Sequence, residues 1–300
     1  MKFNNSKGLA AAALAIAAIL SAAQPVAAAA PVMPAIADPA TNVSIPGKFV
    51  WFDLASGNPV ASQKFYGKVF DWKFQSVRGT PEKYAVIRDE GRAIGGVFQS
   101  KIPSGTAASA RWLSFVSVGD MDRAIAAMTA GGGQVLLPAT TVPGRGTHAL
   151  VRDSQGAVLG LLKSSSGDRL DEPVATGEFF WVDLYARDPA AAGRAYQQLG
   201  YAVTSDDVSG DDRILLSNKG YARAGILRLP AEGREPGWLP YVQVDDVPTT
   251  LARVRAAGGK VLREPDAAIL GGQFAVFADP LGGVLGVLHW STTANTGATP

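Results

Sequence analysis

The chain has 300 residues, no cysteine and only two histidines, His148 and His289. Without cysteine there can be no disulfide and no thiol chemistry, so stability rests on the core alone. Two lone histidines leave no HExxH helix, and no serine–histidine–aspartate order with an elbow motif is present. No phosphate-binding loop is present either; Gly131-Gly132-Gly133 closes a helix instead of opening one. Charge of one sign is equally scarce, with 28 basic and 26 acidic residues and a formal net charge of +2. There is no basic stripe, which argues against a nucleic-acid partner. Long apolar runs are missing too. The only candidate, Leu9 to Leu20, is too short for a comfortable membrane span.

That run sits behind Lys2 and Lys7 and ahead of small residues around Ser21-Ala22-Ala23 and from Ala27 onward. A positive start, an apolar stretch and small-residue cleavage sites read as a secretory signal over residues 1–30. No arginine pair precedes the run, and no cysteine is available for a lipid. Export to a bacterial periplasm or to the outside by the general route is expected, with no membrane attachment after cleavage. Loss of Lys2 and Lys7 brings the 28 basic residues level with the 26 acidic ones.

What the chain does have is repetition. Four stretches open a strand with tryptophan: Trp51-Phe52-Asp53-Leu54, Trp112-Leu113-Ser114-Phe115, Trp181-Val182-Asp183-Leu184 and Trp238-Leu239-Pro240-Tyr241. Each is followed by an apolar run carrying a glycine: Gly96, Gly160, Gly225 and Gly286. Four of the six tryptophans are used this way. Trp51 and Trp181 are separated by the same interval as Tyr66 and Tyr196. A second shared interval relates Trp112 to Trp238, Asp153 to Asp279, Gly156 to Gly282 and Gly160 to Gly286. Shared intervals in residue type and position point to a tandem duplication.

Each half divides again. A strand, a helix with apolar residues at helical spacing and three short strands follow each tryptophan. Met121 to Ala130 is a helix stopped by glycines, Pro189 opens another, and Val247 to Ala257 ends at Gly258-Gly259. The prediction is an α+β protein of four βαβββ units. Residues 31–47 are a flexible lead-in, 48–163 the first module, 164–178 a polar linker, 179–290 the second module and 291–300 a disordered tail.

This order resembles the vicinal oxygen chelate superfamily, which includes glyoxalase I, the fosfomycin and bleomycin resistance proteins and extradiol dioxygenases. Leu54 through Trp72, with Asn58-Pro59 and Phe65-Tyr66, looks like the family's opening strand, turn and helix. Asp153-Ser154-Gln155-Gly156 and Asp279-Pro280-Leu281-Gly282 look like its turn before the last strand. The resemblance spans Phe49 to Trp290 and implies two tandem modules, each curling into a half-barrel cup. In the family a divalent metal sits in the cup on histidine or glutamate. The resemblance puts those positions at Trp51, Trp112 and Gly160, and at Trp181, Trp238 and Gly286. Neither indole nor glycine can ligate a metal, so no metal site and no cofactor is expected.

The Trp-for-ligand exchange crowds a cup, and the facing glycines would relieve it. Asp53 and Asp183 lie two residues beyond Trp51 and Trp181, on the same strand face, and could accept the indole N–H bonds or a ligand's. The candidate ligand-binding residues are therefore Trp51, Asp53, Trp112, Gly160, Trp181, Asp183, Trp238 and Gly286; the alternative for each indole is plain core. His148 could serve as a base, and His289 faces away from the cup. Arg88, Arg92, Arg213 and Arg223 fall on middle strands, where they could hold an anion or simply be solvated.

The expected function is binding of a small aromatic or apolar molecule in Trp-lined cups by an exported monomer. One alternative is a metal-dependent lyase or dioxygenase with Asp53 and Asp183 as non-standard ligands. Another is a non-catalytic interaction module whose cups are plugged.

Overall fold

The computed structural model describes residues 31–80, 83–100, 109–206, 213–230 and 235–290. The signal expected over 1–30 and the tail expected over 291–300 lie outside the described residues. The first module contains β1 (Phe49–Ser56), α1 (Pro59–Phe70), β2 (Lys73–Ser76), β3 (Ala85–Asp89) and β4 (Arg92–Gln99). It continues with β5 (Ala110–Ser117), α2 (Met121–Ala130), β6 (Gln134–Val142), β7 (Gly146–Arg152) and β8 (Val158–Ser164). The second repeats the order: β9 (Phe179–Ala186), α3 (Pro189–Gln197), β10 (Ala202–Asp206), β11 (Arg213–Asn218) and β12 (Tyr221–Arg228). It closes with β13 (Gly237–Gln243), α4 (Val247–Ala256), β14 (Lys260–Arg263), β15 (Phe274–Ala278) and β16 (Val284–Leu288). The βαβββ unit therefore occurs four times.

Local chemistry fixes the helix starts. Asn58, Asp120, Asp188 and Asp246 each accept a hydrogen bond from a backbone N–H of the first turn, and three of the helices carry proline in that turn. Asp153 and Asp279 organise the turns before β8 and β16. Asp153 accepts the N–H groups of Gln155, Gly156 and Ala157, and Asp279 those of Leu281 and Gly283.

Each module is one eight-stranded sheet, in the orders β2-β3-β4-β1-β5-β8-β7-β6 and β10-β11-β12-β9-β13-β16-β15-β14. The two units of a module meet at an antiparallel seam, β1 with β5 and β9 with β13. The seam strands are flanked by parallel pairs, β1 with β4 and β5 with β8 in the first module. One face of each sheet carries the helices, and these two faces merge into a single core spanning both modules. The Phe52 and Phe179 rings stack at 4.1 Å across the boundary, and Trp72 donates its indole N–H to the Gly177 carbonyl. The opposite, cup-side faces form separate clusters, one per module.

Two segments depart from expectation. The lead-in is laid along the first module. The Met33 N–H donates to the Pro143 carbonyl, Ala37 N–H to Ser166 Oγ and Ile45 N–H to Asp168 Oδ2. Met33, Ile36 and Ala37 are buried, which compensates for ordering the chain. The linker is likewise tied down. Asp171 pairs with Lys48 of the first module at 3.0 Å and with Arg223 of the second at 2.6 Å, and Glu178 pairs with Arg92 at 3.1 Å.

Candidate functional site

Register decides what each cup contains. Paired residues on neighbouring strands share a sheet face. Trp51 pairs with Phe115, and Asp53 with Leu113, so these four look into the first cup. Trp112 pairs with Leu54 and points the other way. In the second module Trp181 pairs with Tyr241, and Trp238 with Leu184. The expectation that Trp112 and Trp238 line the cups is therefore overturned. Residues 112 and 115 stand three apart on one strand, so only one of them can share a face with Trp51.

The displaced indoles build the module boundary. Trp112 donates its N–H to the Tyr66 hydroxyl at 3.0 Å, and that hydroxyl lies against Asp279 of the other module. In the mirror arrangement the Tyr196 hydroxyl donates to Asp153 of the other module at 3.1 Å, with the Trp238 ring edge-on to Tyr196 at 5.3 Å. The tryptophans, tyrosines and aspartates that repeat at matching intervals thus form two Trp–Tyr–Asp trios, each crossing from one module to the other. Their recurrence records a pseudo-symmetric interface.

The glycines have a correspondingly different duty. A Cβ on Gly160 would meet the Phe115 ring at 2.2 Å, and one on Gly286 the Tyr241 ring at 2.1 Å. They make room for Phe115 and Tyr241, the aromatic partners of Trp51 and Trp181, and not for the indoles themselves. Gly96 and Gly225 do the same for the side chains around the acids. A Cβ on Gly96 would meet the Tyr84 hydroxyl and Asp53, and one on Gly225 would meet Asp183 and Arg213.

Both acids accept the neighbouring indole N–H: Trp51 donates to Asp53 Oδ1 at 2.8 Å, and Trp181 to Asp183 Oδ1 at 2.8 Å. In the first cup Tyr84 adds a 2.6 Å bond to the same oxygen. Burial raises the Asp53 pKa, and Arg145 works against that rise. The Arg145 guanidinium lies 3.9 Å from the centre of the Trp51 ring, and its Nε donates to the Pro34 carbonyl of the lead-in. Met33 and His148 complete this wall. Burial first, and Arg145 second, depress the His148 imidazole to about 4, so it is neutral at ordinary pH. About 40 Å³ of hollow remains.

The second cup is roomier, at about 80 Å³. Trp181, Tyr185, Tyr241, Phe274 and Trp290 wall it. On its floor Arg213 pairs with Asp183 at 3.0 Å, and at its exposed rim Arg263 lies over the Phe274 ring at 5.3 Å. The difference in room has a residue-level cause. Leu150 pairs with Gly160, and Val276 with Gly286, so β7 and β15 are in equivalent register. Counting back the same number of residues sets Arg145 opposite Gly271. The side chain that fills the first cup is absent from the second, and the lead-in covers only the first.

Residues 48–161 match the Glyoxalase/Bleomycin resistance protein/Dioxygenase superfamily, and residues 180–288 match the Glyoxalase-like domain. The chain is a two-module vicinal oxygen chelate protein. Among relatives of this vicinal oxygen chelate chain, "Putative glyoxylase CFP32" of Mycobacterium bovis is 29% identical over 79% of this chain and 93% of its own. "Anthracycline biosynthesis protein DnrV" of Streptomyces peucetius is 27% identical over 73% of this chain and 85% of its own. The Mn(II)-bound glyoxalase of Novosphingobium aromaticivorans shares the fold with a TM-score of 0.56 and 15% identity, over 82% of this chain and 83% of that one. Homoprotocatechuate 2,3-dioxygenase of Brevibacterium fuscum, solved with 3,4-dihydroxyphenylacetate, does so with a TM-score of 0.60 and 15% identity, over 89% of this chain and 85% of that one.

The cup residues of this vicinal oxygen chelate protein do not fit the family's divalent ion. Such ions take three or more oxygen, nitrogen or sulfur donors. Among the described residues no three His, Cys, Asp or Glu side chains gather where they could share one. Each cup floor offers a single carboxylate, already engaged by an indole N–H and accompanied by an arginine whose charge repels a cation. The His148 Nε2, buried without a partner, faces the same Arg145 field.

Of the residues expected to bind, Trp51, Asp53, Trp181, Asp183, Gly160 and Gly286 lie on cup faces. Of the four middle-strand arginines, only Arg213 lines a cup. Arg88 bonds Gln75 and the Gly91 carbonyl, Arg92 pairs with Glu178, and Arg223 with Asp171. The His289 ring bonds the Val244 carbonyl, away from the cup. Sequence reasoning missed Arg145, Tyr84, Tyr185, Tyr241, Arg263, Phe274 and Trp290. Alternation from Trp181 and Asp183 gives Tyr185; Tyr241, Arg263 and Phe274 come from strands whose pairing the sequence leaves open, and Tyr84, Arg145 and Trp290 flank strands in turns and connections.

Proposed function

We propose that this exported protein binds a small organic molecule with an aromatic or apolar body in the cup of its second module, without a metal ion. One observation carries the reading: the second cup is open where the first is filled by Arg145, whose equivalent is Gly271, and by Met33 of the lead-in. A concave, largely aromatic surface with a few fixed polar groups is the usual form of a small-molecule site. Offset or edge-on contact between a planar ligand and Trp181, Tyr241 or Trp290 would supply most of the affinity. Asp183 and Arg213 would orient polar substituents. The first cup serves stability, with its acid and guanidinium neutralising one another. The names of the relatives, a glyoxylase and an anthracycline biosynthesis protein, are compatible with a small organic ligand.

Titration with a panel of fused-ring aromatics, followed by tryptophan fluorescence and calorimetry, tests this. The expected result is saturable quenching that Trp181→Phe weakens at least tenfold and that chelator leaves unchanged. No response across the panel, or a response that Trp181→Phe leaves intact, would overturn it. The export reading predicts a mature N-terminus at or before about residue 31 by the usual position of signal cleavage. N-terminal sequencing after cell fractionation checks this, and light scattering on the same sample checks for the monomer.

A further inference from the structure

The two cups are equivalent position by position, so their differences show what the second has acquired. Val86 pairs with Gly96 and Leu215 with Gly225, which makes Tyr84 and Arg213, each two residues earlier, equivalent. Leu137 pairs with Leu150 and Arg263 with Val276, which makes those two equivalent. Ala55 pairs with Phe98 and Tyr185 with Leu227, which makes Ala55 and Tyr185 equivalent. The second cup thus carries arginine where the first has a buried tyrosine and a buried leucine. It also carries a tyrosine where the first has alanine.

The charges do not cancel. The described wall of the second cup holds one carboxylate, Asp183, and two guanidiniums, Arg213 and Arg263. Asp183 is committed to the Trp181 N–H and to Arg213. Arg263 makes no ion pair among the described residues; it is exposed at the rim, stacked over Phe274. The Tyr185 hydroxyl lies within the field of both guanidiniums and of Asp183. The first cup is different: Arg145 is buried there and faces Asp53.

We infer that the second cup selects aromatic acids: a planar ring among Trp181, Tyr241 and Trp290, with an anionic group such as a carboxylate held by Arg263 and the Tyr185 hydroxyl. This rests on the reading of that cup as a binding site. A guanidinium suits a carboxylate because its planar donors match the two oxygens and because it stays charged at every working pH. An exposed rim position means the contribution is screened by salt.

The test is a matched pair of probes, 2-naphthoate and 2-naphthamide, titrated calorimetrically against the full chain. They share a ring system and shape and differ in charge. The expected result is roughly tenfold tighter binding of the acid at low salt, a gap that narrows as salt rises. Arg263→Gln should bring the acid to the level of the amide and leave the amide unchanged. Equal binding of the two probes by the wild-type protein would overturn the acid preference while leaving the aromatic site standing. So would a gap that survives Arg263→Gln. Binding of neither probe would remove both the preference and the site.

Discussion

Adding one methyl group at Gly286 should separate the two cups experimentally. A Cβ there would sit 2.1 Å from Cδ1 of Tyr241 and 2.3 Å from Cε1. Ordinary contact between carbon atoms is about 3.5–4.0 Å, so the ring must retreat by more than about 1 Å. Tyr241 is buried, and the Phe274 ring stands 5.6 Å away on one side. The free direction is the hollow of about 80 Å³. Gly286→Ala should therefore push the phenol into the ligand space. Overpacking of this kind costs about 1–3 kcal/mol, from which a gain of about 0.4–1 kcal/mol for a stiffer unfolded chain is subtracted. Gly160→Ala makes the same demand of Phe115, whose ring would be met at 2.2 Å, but its hollow is about 40 Å³ and is walled by Arg145 and Met33. That variant should lose more stability. Urea denaturation followed by fluorescence gives both free energies. Calorimetry with 2-naphthol should show affinity lost in Gly286→Ala and kept in Gly160→Ala. If Gly160→Ala is as stable as wild type, or Gly286→Ala binds normally, the packing argument is wrong.

Two further outcomes follow from the geometry. His148 is half-buried, with its Nε2 shut off from solvent, and neutral, its pKa lowered to about 4 from an unfolded value near 6.5. A depressed folded value means its contribution is present above pH 6.5 and is lost as pH falls toward 4. The loss is at most about 3 kcal/mol. His148→Phe, which copies Phe274 of the second module, should remove that loss, so the difference between the two denaturation profiles should grow from pH 7 to pH 4; a flat difference refutes it. Tyr196→Phe removes the hydroxyl that reaches Asp153 across the module boundary. It should cost about 1–3 kcal/mol by leaving a buried carboxylate oxygen short of a donor, read as a lower urea midpoint; an unchanged midpoint would show that the trio adds no stability.

Much of this molecule can be read from residue order. The intervals linking Trp51 to Trp181 and Asp153 to Asp279 give the duplication. Asn58-Pro59 and Pro189 give two of the helix starts. The alternation of Trp51 with Asp53 and of Trp181 with Asp183 places each acid under its indole, where the N–H bonds are found. All of these are local patterns, set by helix and strand periods that need no partner strand. The roles of Trp112 and Trp238 could not be read in that way. Strand pairing sets which side of a sheet a residue meets, and a one-position shift reverses it. Nothing between residues 51 and 115 states that register; the seam between β1 and β5 does.

Residue order therefore fixes the architecture: four βαβββ units in two modules, without thiol chemistry. Which aromatics line a cup and which lock the modules together is settled by strand pairing in the folded chain. The tertiary structure also decided that Arg145 and the lead-in close one cup while Gly271 leaves the other open, and that Arg263 stands beside Phe274 at its rim. These outcomes depend on side chains far apart in the chain meeting across paired strands, and that meeting is fixed by register and burial.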